Sequence, residues 1–229
     1  MIAIDGPAAA GKTTVARAVA DRLGATLFDT GILYRTVTLA AIRRGIADTA
    51  HGLLADLAGA IEIAVRPPSV ADGRFYDVLL DGNDVTWAIR EKPVEARVSA
   101  VSAVPEVRAA LLPVQRRIAA GDQVVMVGRD VGSVVLPEAG LKIFLDASDE
   151  ERARRRAREL EARGTPVDSG AILAAMRARD AYDSSRAVAP LRAADDAVVI
   201  ATDHRTVESI VDEILTVAVA RGIAAPEKA

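Results

Sequence analysis

Apolar and polar positions follow two rhythms along this chain. Ile2-Ala3-Ile4 is a short apolar run that stops at Asp5-Gly6-Pro7 and yields to a loop of small residues. From Lys12 to Leu23 the apolar positions fall at Val15, Ala16, Val19, Ala20 and Leu23, the spacing of one helical face, and Gly24 suits the helix end. Thr26-Leu27-Phe28 predicts a second strand, and Leu33, Val37, Ala40 and Ala41 predict a helix closed by Gly45. Strand and helix alternating in this way predict a parallel sheet. From about Ile61 the period drops to two: Ile61 to Val65 alternates, Phe75 to Leu80 follows a Pro-Pro and Asp-Gly interruption, and Val85-Thr86-Trp87 lies beyond the turn sequence Asp81-Gly82-Asn83-Asp84. This predicts a small antiparallel insertion over about 61–90. Helices are expected near 94–104 and 106–119. The runs Val124 to Val127, Lys142 to Leu145 and Ala197 to Ile200 read as buried parallel strands, making five core strands. Further helices start at Ser148, where Glu151 completes a capping-box spacing, near Ser169 and at Thr206.

Composition narrows the chemistry. At 229 residues the chain is long enough for one large α/β core. With no cysteine there is no disulfide, thiolate zinc site, iron–sulfur cluster or cysteine nucleophile, and with two histidines no imidazole cage. Any metal is then a hard ion held by oxygen, such as Mg²⁺. The first residues lack a basic leader and no stretch reaches the length of a membrane span, so a soluble, cytoplasmic protein is expected, without a membrane partner. The net charge of −3 argues against general nucleic-acid binding. Arginine outnumbers lysine by 25 to 4. Coding bias explains this, as the abundant alanine suggests; so would a need for guanidinium groups.

Gly6-Pro7-Ala8-Ala9-Ala10-Gly11-Lys12-Thr13 matches the phosphate-loop pattern and sits between a predicted strand and a predicted helix, where the mechanism requires it. Small residues let successive amides turn inward around a phosphate, and the helix N-terminus adds its field. Lys12 then reaches the β- and γ-phosphates while the Thr13 hydroxyl meets Mg²⁺. Asn83 is the only asparagine and no lysine follows it, which removes a GTPase-type guanine motif. No apolar run ends in Asp-Glu, which weakens a motor ATPase. A small phosphotransferase remains, and it must grip a second anionic substrate.

Arginine suits that grip because its planar fork bonds phosphate oxygens in pairs. Arg35 follows Asp29-Thr30-Gly31, and either a solvated helix face or a ligand contact accounts for it. Arg129 and Asp130 follow the third core strand, at the sheet end where such folds bind ligands; the plainer alternative is a salt bridge that holds the loop. In the run from Arg152 to Arg158, helical geometry puts Arg155 and Arg156 at about 300° and 40° from Arg152, but Arg154 and Arg158 at about 200° and 240°. Arg152, Arg155 and Arg156 therefore share a phosphate-facing stripe, while Arg154 and Arg158 serve solvent or pair with Glu161 and Glu150. With Gly164-Thr165-Pro166 following, the segment 151–168 reads as an arginine-rich lid.

Together these residues resemble the bacterial cytidylate kinases of the nucleoside monophosphate kinase group. The likeness covers most of the chain: Ile4 to Pro7 into the phosphate loop, Asp29-Thr30-Gly31 with Tyr34-Arg35, Val78 to Asp84 with Val85 and Ile89-Arg90, Pro105 to Arg108, Gly128-Arg129-Asp130, Lys142 to Leu145, and Arg179 to Leu191. Most specific are Gly128-Arg129-Asp130 and Ser185 to Leu191. The resemblance implies an α/β P-loop kinase domain with a five-stranded parallel core, an antiparallel β insertion and the lid. Segments 1–30, 120–150 and 170–229 would form the core and 31–115 the CMP-binding region. It implies ATP and CMP or dCMP as substrates, Mg²⁺ with ATP as cofactor and a monomer. ATP would be cradled by Gly6, Pro7, Ala8, Ala9, Ala10, Gly11, Lys12, Thr13 and Thr14 with Arg152 and Arg156, and Thr13 would meet the metal. Thr30, Arg35, Arg129 and Arg186 match the CMP phosphate grip; Ser99, Arg108 and Asp130 match cytosine recognition; Arg179 and Asp183 match ribose contacts. Catalytic charge neutralisation would fall to Lys12, Arg129, Arg156 and Arg186. One departure stands out: Val127 occupies a position that is usually acidic in the family, which leaves Asp5, Asp29 or Asp130 to support Mg²⁺. Another small-molecule kinase of this fold, or a weakened nucleotide-binding regulator, are the alternatives.

Overall fold

The computed structural model describes residues 1–121, 123–162, 164, 166–186 and 188–224. In chain order the first elements are β1 (Ile2–Asp5), α1 (Lys12–Leu23), β2 (Thr26–Asp29), α2 (Gly31–Arg43), α3 (His51–Ala60), β3 (Ile63–Arg66), β4 (Asp77–Leu80) and β5 (Asn83–Asp84). A 3₁₀ turn at Ala88–Arg90 leads to α4 (Lys92–Ala103), α5 (Pro105–Ala119) and β6 (Val124–Val127). A π-helical turn at Val131–Val135 precedes β7 (Leu141–Asp146), α6 (Asp149–Ala162), α7 (Ser169–Ser184), β8 (Val198–Ala201) and α8 (Val207–Ala220). The chain divides into two compact units, Met1–Asp29 with Arg116–Ala229, and Thr30–Gln115.

The first unit holds a five-stranded, all-parallel sheet in the order β2-β6-β1-β7-β8. Every residue of β1 and β6 is buried, the pattern of central strands in a parallel sheet. At the edges alternation returns. Val199 of β8, read from sequence as part of a buried run, is 58% exposed because an edge strand is covered less completely. On one face Val15, Ala16, Val19 and Ala20 of α1 join Ile210, Val211, Ile214 and Ala218 of α8 over Ile2, Ile4 and Ile143. Burying each larger side chain there contributes roughly 1.5–3 kcal/mol. Gly24 closes α1 at φ 60°, as its position predicts. Thr206 caps α8, its side chain accepting from the Ser209 amide. Thr206→Ala is expected to lower stability by about 1 kcal/mol in urea unfolding, with activity unchanged.

The start of α6 differs from the sequence expectation in one detail. Ser148 does accept from the Glu151 amide at 3.3 Å, but Asp203 takes the Ser148 amide at 3.1 Å and the Glu151 carboxylate turns to Arg154 and Arg155. Only half of a capping box forms, since two guanidinium groups compete more strongly for that carboxylate than one amide. Thr165, in the expected lid tip, lies outside the described residues.

The second unit carries the antiparallel sheet β3-β4-β5, with Ile63 opposite Leu80 and Leu80 opposite Asn83. Its last strand is Asn83–Asp84, not Val85-Thr86-Trp87. Asp81 and Gly82, at φ 48° and 79°, complete the hairpin turn by themselves, so pairing resumes two residues early. Arg74 ties this hairpin together, its guanidinium 2.8 Å from Asp72, 2.9 Å from Asp77 and 2.7 Å from Asp84. Helix α3, which buries Leu54, Leu57 and Ala58, has no counterpart in the sequence reading. Ala50 at its start offers no side-chain cap, and Gly52 and Gly59 dilute the helical signal.

Candidate active site

The sheet delivers the phosphate loop directly off β1. At Gly6, φ is 144°, and an added Cβ would lie 2.1 Å from the Leu145 carbonyl oxygen, so only glycine lets the chain leave the sheet here. Ala9 holds a left-handed φ of 58°, a local strain of the kind found in ligand-binding loops. Gly11 precedes α1 without any side-chain cap, which leaves the helix's first amides for an anion. Lys12 folds onto the loop, donating from Nζ to the Pro7 carbonyl at 2.6 Å. Desolvation, then repulsion from Arg129, pushes its ammonium pKa down to about 7, with Asp29 and Asp5 pulling the other way. Thr13 donates from Oγ1 to Asp29 Oδ2 at 3.3 Å.

Behind the loop, the arginine run separates by acceptor. Arg152 is 3% exposed and donates to the Ala147 carbonyl at 3.1 Å, to the phosphate-loop Ala8 carbonyl at 3.2 Å, to Asp180 at 2.5 Å and to Asp149. In this conformation it braces the loop's backbone. Arg155 donates to the Thr202 hydroxyl at 3.0 Å and carbonyl at 2.6 Å, and that hydroxyl donates to the Ala10 carbonyl at 3.4 Å. Arg156 donates to Glu159 at 2.7 Å. Arg154 faces solvent as expected, and its ion-pair partner is Glu151 rather than Glu161 or Glu150, since a residue three positions away lies within reach on the same face.

A second basic cluster surrounds Asp183, which is 1% exposed. Its carboxylate lies 2.6 Å from Arg129 Nε and 2.5 Å from Arg186 Nη2. The Arg129 approach is an ion pair whose N–H is not aimed at the oxygen. The Arg186 guanidinium stands 5.5 Å from the Tyr182 ring centroid. Ala187, in the expected 185–191 motif, lies outside the described residues. Arg179 is close enough to add to the repulsion on Lys12. Asp130 is buried, and its charge reaches Asp5. Lys12, Thr13, Arg129, Asp130, Arg179, Asp183 and Arg186 thus belong to the first unit, with Thr14 exposed on the first turn of α1.

Four other predicted residues belong to the second unit. Thr30 is buried at the start of α2, and Arg35 donates to the Ile89 carbonyl at 3.2 Å. Arg108 is buried, donates to the Ser102 carbonyl at 3.0 Å and lies 5.1 Å from the Tyr34 ring centroid. Half-buried Ser99 accepts at its carbonyl from the Ser102 hydroxyl at 3.2 Å. The sequence reading missed Thr202, Asp180 and the anchoring by Asp5. Asp5 and Asp180 fall inside stretches that carry the family likeness, but nothing in those stretches names their partners, and each of the three meets its partner only through the fold.

A lysine-bearing phosphate loop beside a nest of arginines and carboxylates is equipped to hold a triphosphate and to offset the charge on a moving phosphoryl group. Comparison with known proteins agrees with that chemistry. The cytidylate kinase family model matches residues 2–220. A cytidylate kinase of Herpetosiphon aurantiacus is 47% identical over 214 residues, covering 93% of this chain and 92% of that protein. One of Limosilactobacillus fermentum is 48% identical over 216 residues, with 93% and 92% covered. A bifunctional pantoate ligase/cytidylate kinase of Synechococcus elongatus is 46% identical over 224 residues, which are 97% of this chain and 42% of that longer protein. With the family model spanning nearly the whole chain and the phosphate loop built as its chemistry demands, the chain belongs to the cytidylate kinase family.

Proposed function

We propose that this protein transfers the γ-phosphoryl group of ATP to CMP and dCMP, giving CDP and dCDP. The observation that carries the reading is the phosphate loop with Lys12 beside the Arg129–Asp183–Arg186 cluster, in a chain of this family. An oxygen of the CMP phosphate attacks the γ-phosphorus in line; the new P–O bond forms as the bond to the β-phosphate oxygen breaks and ADP leaves. No general base is needed, because the acceptor is already an anion. Lys12, Arg129, Arg156 and Arg186 neutralise the charge that spreads over the transferring group.

Thr13 and Asp29 together fit Mg²⁺, as hard oxygen donors 3.3 Å apart at the mouth of the loop. The apolar Val127 sits beside Asp29 in the strand register, so Asp29 is the carboxylate at that level of the sheet. Held by Thr13 and Asp29, an Mg²⁺ ion bound with ATP would supply positive charge to offset that of the phosphates. Asp5 is a poorer candidate, since both its oxygens already accept backbone amides.

For the acceptor, Thr30, Arg35, Arg129 and Arg186 grip the phosphate, while Ser99, Arg108 and Asp130 read cytosine. Cytosine has an N4 amino donor beside the N3 and O2 acceptors. A carboxylate on the amino group and donors on the acceptors reject uracil by leaving groups unpaired. Arg179 and Asp183 lie toward the ribose. With the Asp183 carboxylate committed to two guanidinium groups, it makes little demand for a 2′-hydroxyl, which supports acceptance of dCMP. Segment 151–168, which includes most of α6, acts as the lid. No described helix is long and apolar enough to cross a membrane. The reading places the enzyme in the cytoplasm with its substrates and needs no second copy of the chain.

A panel of CMP, dCMP, UMP, AMP, shikimate and dephospho-coenzyme A with Mg·ATP, read as ADP formation, tests this directly. CMP and dCMP are expected to turn over, and UMP to lag by on the order of 10²-fold or more. Equal use of UMP, or preference for another acceptor, overturns the cytosine assignment. Rejection of dCMP as strong as that of UMP removes the deoxy substrate. Tight CMP binding without turnover would favour a regulator.

A further inference from the structure

Two residues that the proposed function relies on, Arg129 and Asp130, sit in a segment pinned on both sides by β1. The Gly128 amide donates to the Ile4 carbonyl at 3.1 Å, continuing the β1–β6 pairing. Immediately after Asp130, the Val131 amide donates to Asp5 Oδ1 at 2.8 Å and the Gly132 amide to Asp5 Oδ2 at 2.7 Å. Only Arg129 and Asp130 lie between the anchors, so the anchors determine where both side chains start. Asp5 is 4% exposed, and burial pushes its carboxyl up to about 6, with Asp130 adding to the rise and the two amides opposing it.

The turn that Asp5 holds is secured elsewhere as well. The Asp130 carbonyl accepts from the Val134 and Val135 amides at 2.9 and 3.2 Å, making Asp130 part of the Val131–Val135 turn. At its far end Arg116 donates to the Val135 carbonyl at 3.0 Å and the Val134 carbonyl at 3.1 Å. Beneath it Gly132 rests on the Lys142 stem, where a Cβ would come within 3.2 Å, and Lys142 is held by Asp196 at 2.8 Å. The amide end relies on Asp5 alone among the described side-chain hydrogen bonds. Asp5 also directly precedes Gly6, so a single residue joins the start of the phosphate loop to the segment that carries Arg129 and Asp130.

We infer that Asp5 is a positioning residue for the acceptor: its carboxylate fixes the turn at Val131 and Gly132 and thereby aims Arg129 and Asp130 at CMP. This rests on the CMP reading above. In the full-length protein, Asp5→Asn keeps the side-chain size but sets an amide NH₂ against a backbone N–H. CMP and ATP affinities are then measured separately by calorimetry, together with kcat and the CMP-to-UMP ratio. CMP affinity is expected to weaken about tenfold or more, the loss of a charge-assisted hydrogen bond, with ATP affinity changed by less than about twofold and UMP rejection relaxed. A purely structural role would weaken both ligands together; that outcome, or no change in either, overturns the inference. Should Asp5→Asn fail to fold, the exposed Arg116→Met loosens the same turn from its carbonyl end. It is expected to show the same split at smaller amplitude, and an absent split overturns the inference equally. If the unmodified protein neither binds nor phosphorylates CMP, the CMP reading itself falls; if it does and no split appears, only the role of Asp5 is lost.

Discussion

Lys12→Ala is expected to abolish useful phosphoryl transfer, with kcat falling by on the order of 10²–10³-fold or more, while the protein remains folded. Lys12 supplies the ammonium at the phosphate loop, where a charge aimed at the transferring group in a partly dry site is worth far more than in water. Its contribution to the fold is small. It lies at the first position of α1, outside the buried apolar cluster, and its one described hydrogen bond is to the Pro7 carbonyl. Desolvation and the neighbouring Arg129 and Arg179 hold its pKa at about 7, so the charge is itself a local cost to the folded state. Alanine is the residue best tolerated in a helix. Thermal melting should therefore be unchanged or slightly improved. Initial-rate measurements with saturating ATP and CMP decide the point, and retained turnover would remove Lys12 from the mechanism.

Asp183→Asn is the substitution expected to damage both stability and acceptor binding. Asp183 is 1% exposed and is shared by Arg129 and Arg186, whose side chains are 24% and 7% exposed. Removing the negative charge leaves two guanidinium groups side by side in a poorly solvated place. Breaking a buried pair by deleting one partner costs about 3–5 kcal/mol. For a chain of this length that is a fall in Tm of roughly 6–20 °C. CMP affinity should fall together with stability, because both arginines proposed to grip the acceptor phosphate lose the group that orients them. Asp195→Asn is the control: its carboxylate is 96% exposed and 3.7 Å from Arg192, so its loss is expected within about 0.5 kcal/mol. If Asp183→Asn unfolds in urea no earlier than the control, the shared carboxylate is not what holds the cluster.

Much of this architecture was legible in the chain. The five core strands were visible as short apolar runs, and α1 and α2 as stripes at helical spacing, since burial imprints its period on the sequence wherever an element faces the core. The phosphate loop was legible for a different reason: its chemistry is contained in eight consecutive residues. Helix α3 was not visible, because two glycines and a missing cap weaken a local signal that tertiary packing of Leu54 and Leu57 makes good. The third insertion strand was displaced by two residues because the positive φ of Asp81, and not the apolar pattern, sets where the turn ends.

The polar half of the site divides along the same line. Residue order alone establishes that a phosphate loop exists, that arginine far outnumbers lysine, and which family pattern the chain follows. The acceptor of each arginine is set by how folding brings segments together: Arg152 on the Ala8 carbonyl, Arg155 on Thr202, Arg129 and Arg186 on Asp183. Folding likewise lets Asp5 hold amides more than 120 residues away. The physical reason is range. Hydrophobic periodicity is a local record of which way a residue faces, whereas a long guanidinium or a buried carboxylate pairs with whatever the packed strands bring within about 3 Å, and no spacing along the chain encodes that.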